Sequence, residues 1–162
     1  MSPSRAGALT LAAPNAVVIS PGLVTSGQPP AQVLATLAAQ GFEAVIYLAP
    51  FSVDGAVPAE PGILQRQGIP FVHIPIPFDA PQPAHVQAVN AALERFAGRM
   101  VLVHCQINLR ASSIVFLYRV LIRKEPPAEA YEAVARVWSP SGPWRQLIVD
   151  QLQQHGIEFL PY

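Results

Sequence analysis

Charged residues and cysteine are scarce in the sequence, and each scarcity excludes some classes of protein. Only 12% of the 162 residues are charged, with ten basic and ten acidic residues and no formal net charge. The basic residues form no run, so we predict no nucleic-acid partner. A single cysteine excludes an internal disulfide, which fits a reducing compartment, and we expect a cytoplasmic protein.

The sequence also lacks long apolar runs and metal-ligand patterns. No apolar stretch reaches the roughly 20 residues that span a bilayer, so we predict no membrane association. No pair of His, Cys or carboxylate residues has ligand spacing, so we predict no metal and no cofactor. We interpret residues 1–14 as a flexible tail and residues 15–162 as one domain, which is long enough to bury a sizeable core.

What the sequence does contain is an alternation of β-like and helical segments. The predicted strands cover residues 16–20, 23–26, 42–49, 71–76 and 100–104. The first two form a hairpin, and helical segments separate the others. This alternation indicates an α/β fold with a mostly parallel central sheet and helices on both faces. In such sheets ligands bind beyond the carboxyl ends of the strands.

Cys105 lies on a predicted turn between the central strand and a helix that begins near Arg110. The free N–H groups at a helix start stabilise an anion, which lowers the pKa of a cysteine thiol and can also hold a phosphate. Arg110 adds a planar fork suited to phosphate oxygens. The sequence therefore predicts a reactive thiolate in an anion site. The alternative interpretation is an inert buried thiol.

Four further residues are candidates for supporting this site. Ser112 is placed to hydrogen-bond the thiolate, and His104 is interpreted as fixing the loop geometry rather than as a general base. A general acid requires a carboxyl group on a loop that reaches the site. Asp79, on a proline-rich loop before a long helix, is better placed than Asp54, although Asp79 can also be read as an ordinary turn residue.

The stretch His104-Cys105-Gln-Ile-Asn-Leu-Arg110-Ala-Ser112 resembles the phosphate-binding loop of the protein tyrosine and dual-specificity phosphatase superfamily. Residues 26–29, residues 74–76 and the loop with Asp79 resemble a bacterial branch of it, one set of which is fused to NAD kinase. The resemblance implies Cys105 as nucleophile, Arg110 as phosphate clamp, Ser112 as thiolate partner and Asp79 as general acid. It implies a phosphorylated protein or small molecule as substrate, and it leaves the oligomeric state open.

The loop departs from the superfamily in length. Four residues separate Cys105 from Arg110, namely Gln106, Ile107, Asn108 and Leu109, where the superfamily usually has five, with a glycine among them. We predict that Asn108 supplies the left-handed conformation, which Asn tolerates best after Gly. Within the resemblance, these four residues and Arg110 surround the phosphate.

Three functions remain open at this stage. The first is hydrolysis of phosphomonoesters through a phosphocysteine at Cys105. Four intervening residues is also the loop length of rhodanese-type sulfurtransferases, so the second is sulfur transfer through a Cys105 persulfide. The third is a catalytically silent module that binds phosphate or a partner.

Overall fold

The computed structural model describes residues 10–162, in which a five-stranded sheet lies between two layers of helix. The strands are β1 (Val17–Ser20), β2 (Leu23–Ser26), β3 (Ala44–Tyr47), β4 (Phe71–His73) and β5 (Val101–His104). The helices are α1 (Ala31–Leu34), α2 (Glu60–Gln65), α3 (Pro83–Arg95), α4 (Leu109–Leu121), α5 (Pro127–Ala130), α6 (Glu132–Ala135) and α7 (Gly142–Gln154). No helix between residues 10 and 162 has the length and apolar character that a membrane span requires.

The strands lie in the order β1-β2-β5-β3-β4, so β5 occupies the centre of the sheet. β1 and β2 form the predicted antiparallel hairpin, whereas β2, β5, β3 and β4 run parallel to one another. The predicted fold class, a mostly parallel sheet with helices on both faces, is confirmed. The central position of β5 puts the turn after His104 in the middle of the carboxyl edge.

The two faces of the sheet form separate apolar clusters. Leu102 of β5 packs with Leu34, Leu37 and Leu64 from the α1 and α2 side. Val101 and Val103 of the same strand face the cluster that contains α3, α4 and α7. This alternation follows from the two-residue period of a strand. Eleven residues of α4 are buried, which explains why that helix has no polar face.

Several predicted boundaries differ from the structure. The strand predicted over residues 42–49 covers only Ala44–Tyr47, and two further differences bear on the site. The strand predicted over residues 71–76 ends at His73. The N–H groups of Ile74 and Ile76 still bond the carbonyl groups of Tyr47 and Leu48, so the chain continues beside β3 up to Ile76. Part of the predicted tail also packs on the domain, because Leu11 is buried in the core and the Pro14 carbonyl accepts the N–H of Gly27 at 2.7 Å. Residues 1–9 lie outside the described residues.

Candidate active site

The turn between β5 and α4 surrounds the sulfur of Cys105 with backbone N–H groups. The N–H of Ala111 donates to Sγ at 3.4 Å, and the N–H groups of Asn108 and Arg110 also point to it. Asn108 has φ 74°, the left-handed conformation predicted for it, and α4 begins directly afterwards at Leu109. The arrangement is a small anion-binding nest at a helix start, which suits a thiolate or the oxygens of a bound phosphate.

The prediction of a lowered Cys105 pKa is wrong. Burial of the thiol raises its pKa, and the N–H groups together with the charge of Arg110 pull the pKa down only in part. The sulfur is fully buried, so the thiolate loses the water that would stabilise it. The sequence showed the helix start and the arginine, whereas the burial comes from tertiary packing around the loop.

Gly27 holds this loop against the end of β2. Gly27 forms an isolated antiparallel β-bridge with Ile107. The next residue, Gln28, donates its N–H to the Gln106 carbonyl at 3.0 Å. A Cβ on Gly27 would lie 2.6 Å from the Gln106 oxygen and 2.9 Å from the Ile107 Cα. The glycine is therefore required by the close approach of two backbones.

The four residues of the loop divide between fixing it and facing outward. The Asn108 side chain is buried and donates to the Asn15 carbonyl at 2.7 Å and to Thr25 Oγ1 at 3.1 Å. Asn15 returns a bond to the carbonyl of Ile107 at 3.0 Å. The Ile107 side chain, in contrast, is 44% exposed. The Asn108 side chain therefore fixes the loop, while its backbone N–H faces the sulfur. Ile107 forms part of the rim.

The predicted contact between Ser112 and the thiolate is not made. The Ser112 hydroxyl donates to the Leu109 carbonyl at 3.2 Å, and the Ser113 hydroxyl donates to the same oxygen at 2.9 Å. A serine in the first turn of a helix readily bonds a carbonyl three or four residues earlier. In this structure, Ser112 stabilises the start of α4 while the Ala111 N–H bonds the sulfur.

Arg110 is buried and joins the cysteine loop to the chain that follows β4. Its Nε donates to the Ile76 carbonyl at 2.9 Å, and its guanidinium carbon lies 5.2 Å from the centre of the Phe78 ring. Within residues 10–162, the two terminal nitrogens of Arg110 have no hydrogen-bond partner. Those nitrogens remain available for two oxygens of a phosphate.

The loop after Ile76 carries Asp79, which is exposed. Its neighbour Phe78 contacts Arg110 with its ring and accepts the indole N–H of Trp144 through its carbonyl at 2.9 Å. The Asp79 loop is thus fixed beside Arg110 from the α7 side. Asp54 is also exposed, on the loop after β3, and has no contact of this kind among the described residues.

Behind the cysteine, His104 contacts a buried carboxyl group, that of Glu60, which the sequence analysis missed. His104 Nε2 is 2.6 Å from Glu60 Oε2, and both side chains are fully buried. Gln28 donates to Glu60 Oε1 at 2.9 Å, and the ring of Tyr47 stacks on that of His104 at 4.6 Å. Glu60 is 44 residues from His104 and precedes Pro61 at a helix start, a place where an acidic residue is common. No local pattern distinguished it.

Side chains that bind metals do not gather here. Between residues 10 and 162, no group of three His, Cys, Asp or Glu residues could hold a metal ion. The arrangement supports anion chemistry: a buried sulfur within a nest of N–H groups, a fixed guanidinium, and an exposed carboxyl loop beside it.

Comparison with known proteins gives the fold a family. No protein-family model and no curated protein sequence matches the chain. Solved structures do match. One is a DUF442 protein from Shewanella putrefaciens CN-32, named as a proposed phosphatase. It is 28% identical to this chain with a TM-score of 0.79. The match covers 88% of this chain and 91% of that one. The fold is that of the cysteine phosphatases.

Two further structures agree. Tk-PTP in its active form is 26% identical, with a TM-score of 0.68, and the match covers 87% of this chain and 95% of that one. TpbA from P. aeruginosa, solved in complex with pTyr, is 24% identical with a TM-score of 0.62, over 82% of this chain and 78% of its own. The resemblance to the protein tyrosine and dual-specificity phosphatases is therefore confirmed at the level of the fold. It supports a phosphatase-type function in general.

Proposed function

We propose that the protein is a cysteine-dependent phosphatase that hydrolyses phosphomonoesters through Cys105. The observation that carries this proposal is the placement of Arg110. It joins the N–H nest around the Cys105 sulfur to the loop with Asp79, and leaves two guanidinium nitrogens for phosphate oxygens. A nucleophile, a phosphate clamp and a carboxyl group on an exposed loop beside them are the groups that this reaction needs.

The proposed reaction has two steps. The Cys105 thiol passes its proton to an oxygen of the bound phosphate dianion. The resulting thiolate attacks phosphorus, the bond between phosphorus and the leaving oxygen breaks, and Asp79 protonates that oxygen. Water, deprotonated by the Asp79 carboxylate, then attacks the phosphocysteine, which breaks the sulfur–phosphorus bond and releases inorganic phosphate. Arg110 and the N–H groups of the loop stabilise the charge on the phosphoryl oxygens in both steps.

The rim suggests how a substrate reaches the loop. Ile107 and Phe78 are exposed apolar side chains, at 44% and 41%. Ile107 lies on the loop that leads to Arg110, and the Phe78 ring packs against the Arg110 guanidinium. We propose that a phosphorylated protein or small molecule enters between the two loops that carry them. The same proposal includes three finer assignments inferred from the sequence. They are that the phosphatase is bacterial, that it is cytoplasmic and that it is of the dual-specificity kind.

The test is hydrolysis of an aryl phosphate from pH 5 to 9 by the wild-type protein and by Cys105→Ser. The proposal expects turnover in the wild type, a burst of one phenol per site, inhibition by vanadate, and loss of all three in the variant. Cyanide-releasable sulfur on the purified protein without hydrolysis would instead identify a sulfurtransferase. Phosphate binding that survives Cys105→Ser, again without hydrolysis, would identify a silent binding module.

A further inference from the structure

Hydrogen bonds through Gln28 and Glu60 close a ring around the nucleophile. The backbone N–H of Gln28 bonds the carbonyl of Gln106, the residue after Cys105. The side chain of Gln28 bonds one oxygen of Glu60, and the other oxygen of Glu60 bonds His104, the residue before Cys105. Both neighbours of the cysteine are thus held by one pair of buried residues, Gln28 through its backbone and Glu60 through its side chain.

The contacts of His104 and Glu60 satisfy the polar atoms of this ring. His104 Nδ1 lies 3.4 Å from the Cys105 carbonyl oxygen, and Nε2 lies 2.6 Å from Glu60 Oε2, so each ring nitrogen faces an oxygen. The other oxygen of Glu60 accepts a hydrogen bond from Gln28. Both oxygens of the buried carboxyl group therefore have a partner.

A gain in folding stability alone does not explain why this hydrogen-bonded ring is buried. Burying a carboxyl group is costly, and a buried ion pair is often no more stabilising than apolar residues of the same size. Glu60 is fully buried at the start of a helix, where an exposed acid would serve the helix dipole equally well. Its inward direction is explained by what it contacts, which is the residue that precedes Cys105.

We propose that Glu60 is a positioning residue for Cys105, acting through His104 and supported by Gln28. The proposal rests on the function proposed above, since it assigns the ring to the same nucleophile. Its role is to hold the cysteine turn in the conformation that keeps the sulfur among the N–H groups of α4. Gln at position 60 can donate to His104 Nε2 and accept from Gln28, so that residue would preserve the ring without the charge.

The experiment compares Glu60→Leu with Glu60→Gln, and uses Ile148→Ala as a control. Ile148 is buried in α7 and takes no part in the hydrogen bonds of the ring, so its truncation destabilises the protein while the ring stays closed. Two quantities are measured at a temperature where all variants are folded: kcat and KM for an aryl phosphate, and the rate of Cys105 alkylation by iodoacetamide from pH 7 to 9. Alkylation is specific because the chain has one cysteine.

For Glu60→Leu we expect kcat to fall about 10- to 100-fold with a smaller change in KM, because the nucleophile is misplaced. We also expect alkylation to become faster, because a loosened turn exposes the sulfur. Glu60→Gln should stay within about threefold of the wild type in both measurements. Ile148→Ala should lower the melting temperature with neither change. Equal behaviour of Glu60→Leu and Ile148→Ala would overturn the proposal.

Two further outcomes distinguish a failure of the proposed function from a failure of the role proposed for Glu60. If the wild type shows no hydrolysis, the proposed function fails, whereas the alkylation rates still decide the role of Glu60. If Glu60→Leu does not fold, Gln28→Met opens the ring while the contact between Glu60 and His104 remains. That variant should also show faster alkylation, and an unchanged rate would refute the ring as a positioning device.

Discussion

The Nε of Arg110 donates to the carbonyl oxygen of Ile76 at 2.9 Å, and this bond joins the start of α4 to the chain that leads to Asp79. The phosphate clamp and the proposed acid are therefore parts of one assembly. A phosphate held by the terminal nitrogens of Arg110 would lie beside the loop that must protonate its leaving oxygen. The consequences of this relationship can be tested with single substitutions.

Arg110→Lys should abolish most of the activity although it keeps the charge. Lysine cannot supply a planar fork and bond Ile76 at the same time. We expect kcat/KM for an aryl phosphate to fall about 100- to 1,000-fold, the range found for loss of a donor to a transition-state oxygen. Arg123→Lys is the control, because Arg123 lies beyond the far end of α4 with its side chain 55% exposed. Near-normal turnover by Arg110→Lys would remove Arg110 from the site.

Asp79→Asn should lower kcat/KM about 100-fold with an aryl phosphate whose leaving group is poor, because general acid catalysis is lost. With a good leaving group that needs no proton, the loss of kcat/KM should be small, because kcat/KM covers only the steps up to departure of the phenol. Asp54→Asn is the matched control, since Asp54 is also exposed on a loop after a parallel strand. If Asp54→Asn shows the dependence on leaving group and Asp79→Asn does not, the roles of the two residues are exchanged.

Gly27→Ala should displace the cysteine loop. The added Cβ would lie 2.6 Å from the Gln106 oxygen, so the backbone must shift, at a cost of about 1–3 kcal/mol in the free energy of unfolding. Gly62→Ala in α2 is the control, because its Cβ would meet nothing closer than 3.6 Å and alanine favours a helix. Urea unfolding and turnover are measured for both. A stable and active Gly27→Ala protein would contradict the close approach described here.

The raised pKa of the Cys105 thiol should make stability fall with pH. Above about pH 8.5 the unfolded chain releases the thiol proton, whereas the folded protein keeps it. The loss should approach about 1.4 kcal/mol per pH unit until the raised pKa is reached. Urea unfolding at pH 7.5 and 9.5 measures this loss, and Cys105→Ala should lack it. Equal losses in both proteins would show that the thiol pKa is not raised.

The charge of Arg110 acts on Cys105 in the wild type, and Tyr47 is a second titratable group coupled to the cysteine. The pKa of Tyr47 is raised to about 12, mainly by burial, so this tyrosine stays protonated in the folded protein throughout the range. Because burial is the main cause of that shift and is common to the wild type and Cys105→Ala, the difference between the two proteins reports on the thiol.

Local patterns were sufficient for the fold and for the centre of the site. The hairpin around Pro21 and Gly22, the buried central strand and the left-handed Asn108 each follow from properties of a few neighbouring residues. The parallel order of the later strands then follows from the helices between them. This is why the loops with Cys105 and Asp79 could be assigned to one edge of the sheet.

What failed depended on contacts between distant residues. The Cys105 pKa was predicted from the helix start alone, but burial dominates it. Only the folded turn shows that the Ser112 hydroxyl donates to the Leu109 carbonyl instead of to the sulfur. Glu60 precedes a proline at a helix start, which is an ordinary position for an acid, and its partner lies 44 residues away. A single sequence carries no signal of such a pairing.

The contact between Phe78 and Trp144 has a spectroscopic consequence. The chain has two tryptophans, and the ring of Phe78 lies 5.9 Å from that of Trp138 and 6.3 Å from that of Trp144. Trp144 also donates its indole hydrogen to the carbonyl of Phe78. The indole emission of the unlabelled protein is therefore a built-in probe of the loop beside Arg110. Titration with vanadate would show directly whether an oxyanion moves that loop.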